Sequence, residues 1–326
     1  MDRMDRKKTI LGILSLTVIL GGLGAVLSAQ DAPVREIAIT VDDLPFGGAD
    51  LGLARIRTAN ETILAALRRE SVPAVGFVNE RKLFVPGEID ARTALLESWL
   101  DAGAELGNHT FSHPSLQDTP LAAFEEDVVR GETVTRLLLE RRGRKLRYFR
   151  HPFLRTGPSL EVRSAFEKFL AERGYTVAPV TVENSDYMFS ASYSQAKTQG
   201  DVETMRRIGE AYLQFTEAQL GFWEKVSEEV AGRPIRHVLL LHANEVNAAY
   251  LDEVLDLLKR RGYRFVTLEE ALRDDAYRLP DTFAGKAGVS WPYRWAVSKG
   301  VKIDWRQEPE PPELIQQLYQ AARPPA

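Results

Sequence analysis

The chain alternates short, strongly apolar runs with longer segments whose apolar residues recur at helical spacing, and this rhythm constrains its fold more than any other feature. Residues 36–41, 74–78, 105–108, 147–150, 176–182, 237–242 and 263–267 read as strands. Residues 53–70, 92–102, 120–141, 159–173 and 249–261 read as helices, with Gly103 and Gly174 stopping two of them. Strands that alternate with helices are parallel, because each return to the sheet edge needs a long crossover. Residues 239–241 are apolar without interruption, as expected of a strand whose outer face is covered by helices. About seven repeats predict an α/β fold, a distorted (β/α) barrel of parallel strands; an open sheet would give the same alternation.

Two regions break the rhythm. Residues 187–234 are long and mostly helical, which predicts an insertion over the sheet. Residues 275–326 carry Trp291, Trp295 and Trp305 and end in prolines; they read as a C-terminal extension packed on the barrel, with a disordered final segment. The catalytic domain is then expected over residues 33–274.

Residues 1–29 read differently again. Arg3, Arg6, Lys7 and Lys8 precede an apolar run from 10 to 27, and Ser28 and Ala29 supply small residues at its exit. That order is the pattern of a signal peptide, and the run is also close to membrane-spanning length. Cleaved leader and retained membrane anchor both place the remainder outside the cytoplasm: periplasmic or secreted, or held on the inner membrane through this segment alone. Removing it takes the formal charge from −4 to −6. A net acidic chain has no electrostatic footprint for nucleic acid. With no cysteine, thiolate metal sites, disulfides and a cysteine nucleophile are excluded, so any metal must be held by His, Asp or Glu.

Ionisable residues gather just after the predicted strands, and in (β/α) barrels those strand ends converge on one face. Asp42 and Asp43 follow the first strand, and their carboxylates point in different directions; one could take a metal and the other a proton, or both could be solvated turn acids. His109 and His113 follow the third strand. At i and i+4 on a helical turn they could share a metal, leaving positions open for hydrolytic chemistry; otherwise they are surface or capping residues before Pro114. Arg150 ends the fourth strand, where it could hold a carboxylate ionised or sit on the surface. His151 reads better as a packing residue than as a cleft residue. His242 ends the most apolar strand, either as a core histidine or as a group at the barrel mouth, and His237 at the far end of that strand reads as structural. There is no Gly-x-Ser-x-Gly elbow to supply a serine nucleophile.

Taken in order, these segments resemble the polysaccharide deacetylases of carbohydrate esterase family 4 over roughly residues 35–272. The resemblance implies a metal-dependent hydrolase of carbon–nitrogen bonds in linear amides, removing acetyl groups from an N- or O-acetylated carbohydrate. It implies Zn2+ or another divalent ion such as Co2+, Mn2+ or Ni2+, held by Asp43, His109 and His113. Asp42 is implied as catalytic base, Arg150 as the residue that orients it, and the Phe153 backbone N–H as an oxyanion donor. Leu240 and His242 are implied as acetyl pocket and general acid. Asp186 is implied as the partner of the histidine, although Glu183 and Tyr187 depart from the family's Asp-x-x-Asp-Trp pattern at this point; Tyr187 is taken as substrate-binding. The departures and the insertion leave room for a non-sugar amide or ester as substrate. A non-catalytic, glycan-binding envelope protein is the reading from a different class.

Overall fold

The computed structural model describes residues 35–322; the predicted leader and residues 323–326 lie outside them. In chain order the elements are β1 (Arg35–Leu44), α1 (Leu53–Arg69), β2 (Val75–Val78), α2 (Ile89–Asp101), β3 (Glu105–Asn108), α3 (Leu121–Arg130), α4 (Thr133–Glu140), β4 (Tyr148–Phe149) and α5 (Leu160–Glu172). There follow β5 (Thr176–Val177), α6 (Asp186–Gln199), α7 (Val202–Ala231), β6 (His237–His242), α8 (Glu245–Arg260), β7 (Tyr263–Phe265), α9 (Leu268–Ala271), α10 (Trp291–Lys299) and α11 (Glu313–Ala322). Among the described residues no helix is long and apolar enough to cross a membrane.

All seven strands are parallel, in the order β5-β4-β3-β2-β1-β6, with β7 paired to the start of β1. Beyond β5 the chain crosses to β6. Val182 pairs there with Leu239, and the Leu240 N–H donates to the Val182 carbonyl at 3.0 Å. The sheet therefore closes into a ring, distorted because β4 and β5 are only two residues long. The strand expected over 176–182 is shortened for this reason: its first residues serve β4 and its last serve β6, so no continuous ladder forms between.

The two-residue period of the strands sorts their side chains. Ala38, Val75, Phe77, Tyr148, Ala178 and Val238 form a small cluster inside the ring, closed below by Leu268 and Ala271 of α9. Ile37, Ile39, Val41, Leu239 and Leu241 alternate with them and join the larger cluster under the surrounding helices. Counting up from Ala38 by twos gives Thr40 and Asp42; counting up from Val238 gives Leu240 and His242. Simple alternation thus carries two ionisable groups to the mouth of the ring.

The single helix expected over 120–141 is two helices, broken at Gly131. A β-carbon there would lie 2.4 Å from the Thr110 carbonyl carbon, so the chain needs glycine where this turn backs onto the loop after β3. Between β5 and β6 the chain forms the two helices α6 and α7. The extension also packs: Trp291 N–H donates to Val180 O at 2.8 Å, Trp295 is buried, and fully buried Arg294 bonds Asp281 and Thr156. Its final segment, expected to be disordered, is helical through Ala322. Pro311 and Pro312 mark the start of α11 rather than an unstructured tail, and Ile315 buries its side chain beneath it.

Candidate active site

Asp42 and Asp43 both reach the cleft although they are adjacent. Asp42 keeps the inward direction of β1. Asp43 has φ 71°, in the left-handed region, and the β1–β2 register shifts between Val41 and Leu44, so regular alternation ends there. Asp43 Oδ1 lies 3.8 Å from His109 Nε2 and 3.6 Å from His113 Nε2.

The two histidines meet without a helical turn, which corrects the geometry expected from their spacing. Residues 109–113 form a loop in which Thr110 and His113 have φ of 68° and 62°, and the two rings stand 4.8 Å apart. The loop is held from several sides. Asn79 Nδ2 donates to His109 O at 2.6 Å, Asn108 Oδ1 accepts from Thr110 N–H, and Asp127 of α3 accepts from the N–H and hydroxyl of Ser112. His109 Nδ1 is 2.8 Å from the Arg150 carbonyl, so it carries the proton and leaves the Nε2 lone pair facing Asp43.

Charge in the site follows from burial and neighbours. Burial is the largest influence on both histidines and lowers them, so both are neutral and able to donate lone pairs. Burial works to raise Asp43, but Lys82, His113, His242 and His109 outweigh it and hold the carboxyl well below the usual range. Asp43 Oδ1 is buried with no hydrogen-bond partner among the described residues. One orphaned carboxylate oxygen and two imidazole nitrogens, all within 4.8 Å of one another, fit a divalent cation.

Asp42 sits beside this triad, its Oδ2 3.7 Å from His109 Nε2. Arg150 is fully buried, over the Phe77 ring, and donates to Thr40 Oγ1 at 2.9 Å; its contact with Asp42 Oδ2 is longer, 3.4 Å. Burial pushes Asp42 up to about 6, opposed by Arg150 and His242. Arg150 is thus placed against the base, yet offsets only part of its desolvation.

His242 completes the mouth. Its Nδ1 is 2.6 Å from Asp186 Oδ1, and its N–H donates to Asp186 Oδ2 at 2.7 Å. Burial disfavours its charge, but Asp186, with Asp43 and Asp42, outweighs that and raises it to about 9. Asp186 begins α6 and is buried. Its second oxygen also accepts from Asn247, whose Oδ1 accepts from the Tyr212 hydroxyl of α7. Phe153 has φ 56° and its ring packs edge-on to His113 at 4.4 Å. Gly288 of the extension lies so close that a β-carbon would meet the Phe153 carbonyl oxygen at 1.6 Å. Leu240 and Tyr187 line the same cavity of about 1290 Å3, Tyr187 at its exposed edge against Tyr319.

The structure therefore brings together all the residues singled out at the strand ends. His151 is a buried ring against Phe149 and Phe166 that also lines the cavity, and His237 bonds Thr181 at the far end of β6. Sequence reasoning misses Lys82, 3.3 Å from Asp43 Oδ2, although it too follows a strand. It assigns no role to Thr40, two residues before Asp42, and misses Asn247 and Tyr212, which no local signal marks.

Residues 29–177 match the family model described as polysaccharide deacetylase. No match was found among curated proteins. Similar solved structures include a family 4 carbohydrate esterase from Streptomyces lividans in complex with acetate, 17% identical over 73% of this chain and 95% of that one, with a TM-score of 0.46. Another is the peptidoglycan deacetylase PdaC from Bacillus subtilis, 20% identical over 74% and 93%, TM-score 0.46. A third is a variant of BA3943 of Bacillus anthracis, a CE4 family pseudoenzyme with restored enzymatic activity, 19% identical over 74% and 68%, TM-score 0.49. The match to the polysaccharide deacetylase family model covers residues 29–177, a little under half of the chain.

Proposed function

We propose that this chain is a metal-dependent hydrolase that removes acetyl groups from an acetylated carbohydrate. The observation that carries this reading is the placement of Asp42 and His242 as lateral neighbours on β1 and β6, beside the Asp43–His109–His113 cluster in one cleft. Asp43, His109 and His113 would hold the ion, Zn2+ or another divalent metal such as Co2+, Mn2+ or Ni2+, which supplies Lewis-acid activation of hydrolysis when bound.

The chain's own residues account for the proton movements. Asp42 accepts a proton from the attacking water as its oxygen bonds to the acyl carbon. Arg150, anchored on Thr40, fixes the direction of that carboxylate. The backbone N–H of Phe153 donates to the oxyanion that forms on the acyl group. His242, its Nδ1 held by Asp186, presents Nε2 to the leaving nitrogen or oxygen and protonates it as the acyl bond breaks, releasing acetate. Leu240 supplies an apolar wall for the acetyl methyl.

The basic and apolar leader supports export, with the catalytic domain in the periplasm or outside the cell. The direct test of function is acetate release from N- and O-acetylated sugars by protein stripped of metal and then reloaded. Release that is equal with and without metal would overturn the metal-dependent reading. No release from any acetylated sugar, with metal bound, would overturn the function.

A further inference from the structure

Asp43 turns its two carboxylate oxygens to different partners. Oδ1 faces His109 and His113 and accepts no hydrogen bond among the described residues. Oδ2 lies 3.3 Å from the Lys82 ammonium, which also donates to the Asp43 carbonyl at 3.4 Å. Gly47 stands close on this side chain. A β-carbon there would lie 3.3 Å from the Asp43 β-carbon and 3.5 Å from Oδ2, so the carboxylate has little room to swing.

Lys82 is held in place by its own backbone. It sits in the 3-10 turn Glu80–Leu83 that follows β2. Buried Glu80 accepts from the Val134 and Thr135 N–H groups at the start of α4, and the Leu83 side chain is buried. Arg92 donates to the Lys82 carbonyl at 3.1 Å. The Arg81 N–H donates at 3.0 Å to the carbonyl of Phe111, which lies between the two histidines in sequence. One turn therefore joins the lysine to the loop that carries His109 and His113. A solvated surface lysine needs none of these ties, whereas this side chain is only 29% exposed and lines the cavity.

An ammonium next to a cation site is unfavourable by charge alone. What it contributes is control of the carboxylate. We propose that Lys82 is a positioning residue of the cation site: by holding Oδ2 it makes Asp43 a one-oxygen ligand. This biases the site toward ions that take few ligands, such as Zn2+, over ions that take many oxygens, such as Mn2+. A low ligand count keeps positions open, as hydrolysis requires. The inference rests on the cation site of the proposed function, not on acetate release, and it is tested by metal binding.

Metal-stripped wild type and Lys82→Met are titrated calorimetrically with Zn2+ and with Mn2+, and the visible absorption of their Co2+ forms is recorded. Methionine keeps an unbranched stem and removes the charge and the donors. With Oδ2 released, the preference for Zn2+ over Mn2+, read as the ratio of dissociation constants, falls about tenfold, the lower end of what partners of metal ligands contribute. The Co2+ absorption weakens as an added oxygen raises the coordination number. An unchanged ratio, whether both affinities hold or fall together, overturns the proposal, and so does an unchanged Co2+ spectrum. A crystal structure of zinc-loaded wild type decides the point even if the variant fails to fold. Oδ2 should remain on Lys82, and both Asp43 oxygens on the ion would overturn the inference while leaving the proposed function intact. A wild type that binds neither metal overturns the metal-dependent function and the inference together.

Discussion

Asp42 and His242 are register partners on adjacent parallel strands, both pointing into the mouth of the ring, yet their environments push them apart: burial raises Asp42 to about 6, while Asp186 overcomes burial to raise His242 to about 9. A base must be ionised and an acid protonated for the proposed reaction, so both conditions hold between these values. The rate should follow a bell with limbs near pH 6 and pH 9, and each limb belongs to the coupled pair. A cation on the neighbouring triad moves the acid limb lower. The profile of kcat/KM over pH 5–10 tests this; a rate that climbs steadily through pH 10 would exclude a protonated His242 as the acid.

The triad itself makes a compositional prediction. Purified protein should carry about one divalent ion per chain, as a donor set of one oxygen and two nitrogens implies. His113→Ala should lower metal content and acetate release together. Elemental analysis of a His109→Ala, His113→Ala double variant is the sharper check, because full occupancy there would place the ion elsewhere.

Much of this arrangement is legible in the sequence because barrel chemistry collects at strand ends, and strand ends are marked by where apolar runs stop. Asp42, His109, Arg150 and His242 all emerge that way. The misses have physical causes. The His109–His113 spacing suits a helix, but Thr110 and His113 adopt left-handed φ and the loop is shaped by Asn79, Asn108 and Asp127, from three other segments. The long helix over 120–141 has an unbroken apolar period; what breaks it at Gly131 is the Thr110 backbone, more than twenty residues away in sequence. Arg150 could be expected to pair with a carboxylate; it does reach Asp42, but gives its shorter bond to Thr40, two residues earlier on β1, to which the sequence assigns no role.

Two buried histidines given no role in the reaction predict acid sensitivity. Burial lowers His237 to about 4 and His151 to about 3, both below the unfolded value of 6.5. Above pH 6.5 the folded and unfolded chains are both neutral at these sites, and neither histidine makes stability depend on pH. Below it the unfolded chain takes up protons that the fold refuses, so stability falls as pH drops from 6.5 toward 4. A tenfold difference in proton affinity is worth about 1.4 kcal/mol, so the two together cost several kcal/mol by the end of that window. Urea midpoints at pH 7 and pH 4.5 measure the loss, and His237→Gln should shrink it while leaving the pH 7 value closer to wild type. An unchanged pH slope in that variant would show that His237 is protonated in the fold.

The remaining prediction concerns how far the insertion reaches into the chemistry. Tyr212 of α7 is fully buried and donates to Asn247 Oδ1, and Asn247 donates in turn to Asp186 and to the His242 carbonyl. Tyr212→Phe removes one oxygen and leaves the buried Asn247 acceptor unpaired, a loss of about 1–3 kcal/mol that falls on the groups aiming His242. Tyr212 touches no substrate, so its effect must pass through His242. Proton delivery matters most when the leaving group is poor. His242→Ala should therefore slow an N-acetyl amide by about 10²–10⁴-fold and an activated aryl acetate far less. Tyr212→Phe should show the same preference on a smaller scale, roughly tenfold on the amide, and should lower the basic limb of the pH profile because Asp186 is less well held. If Tyr212→Phe slows amide and aryl acetate equally and leaves the basic limb in place, Tyr212 only supports the fold, and the aim of His242 is set by Asp186 alone.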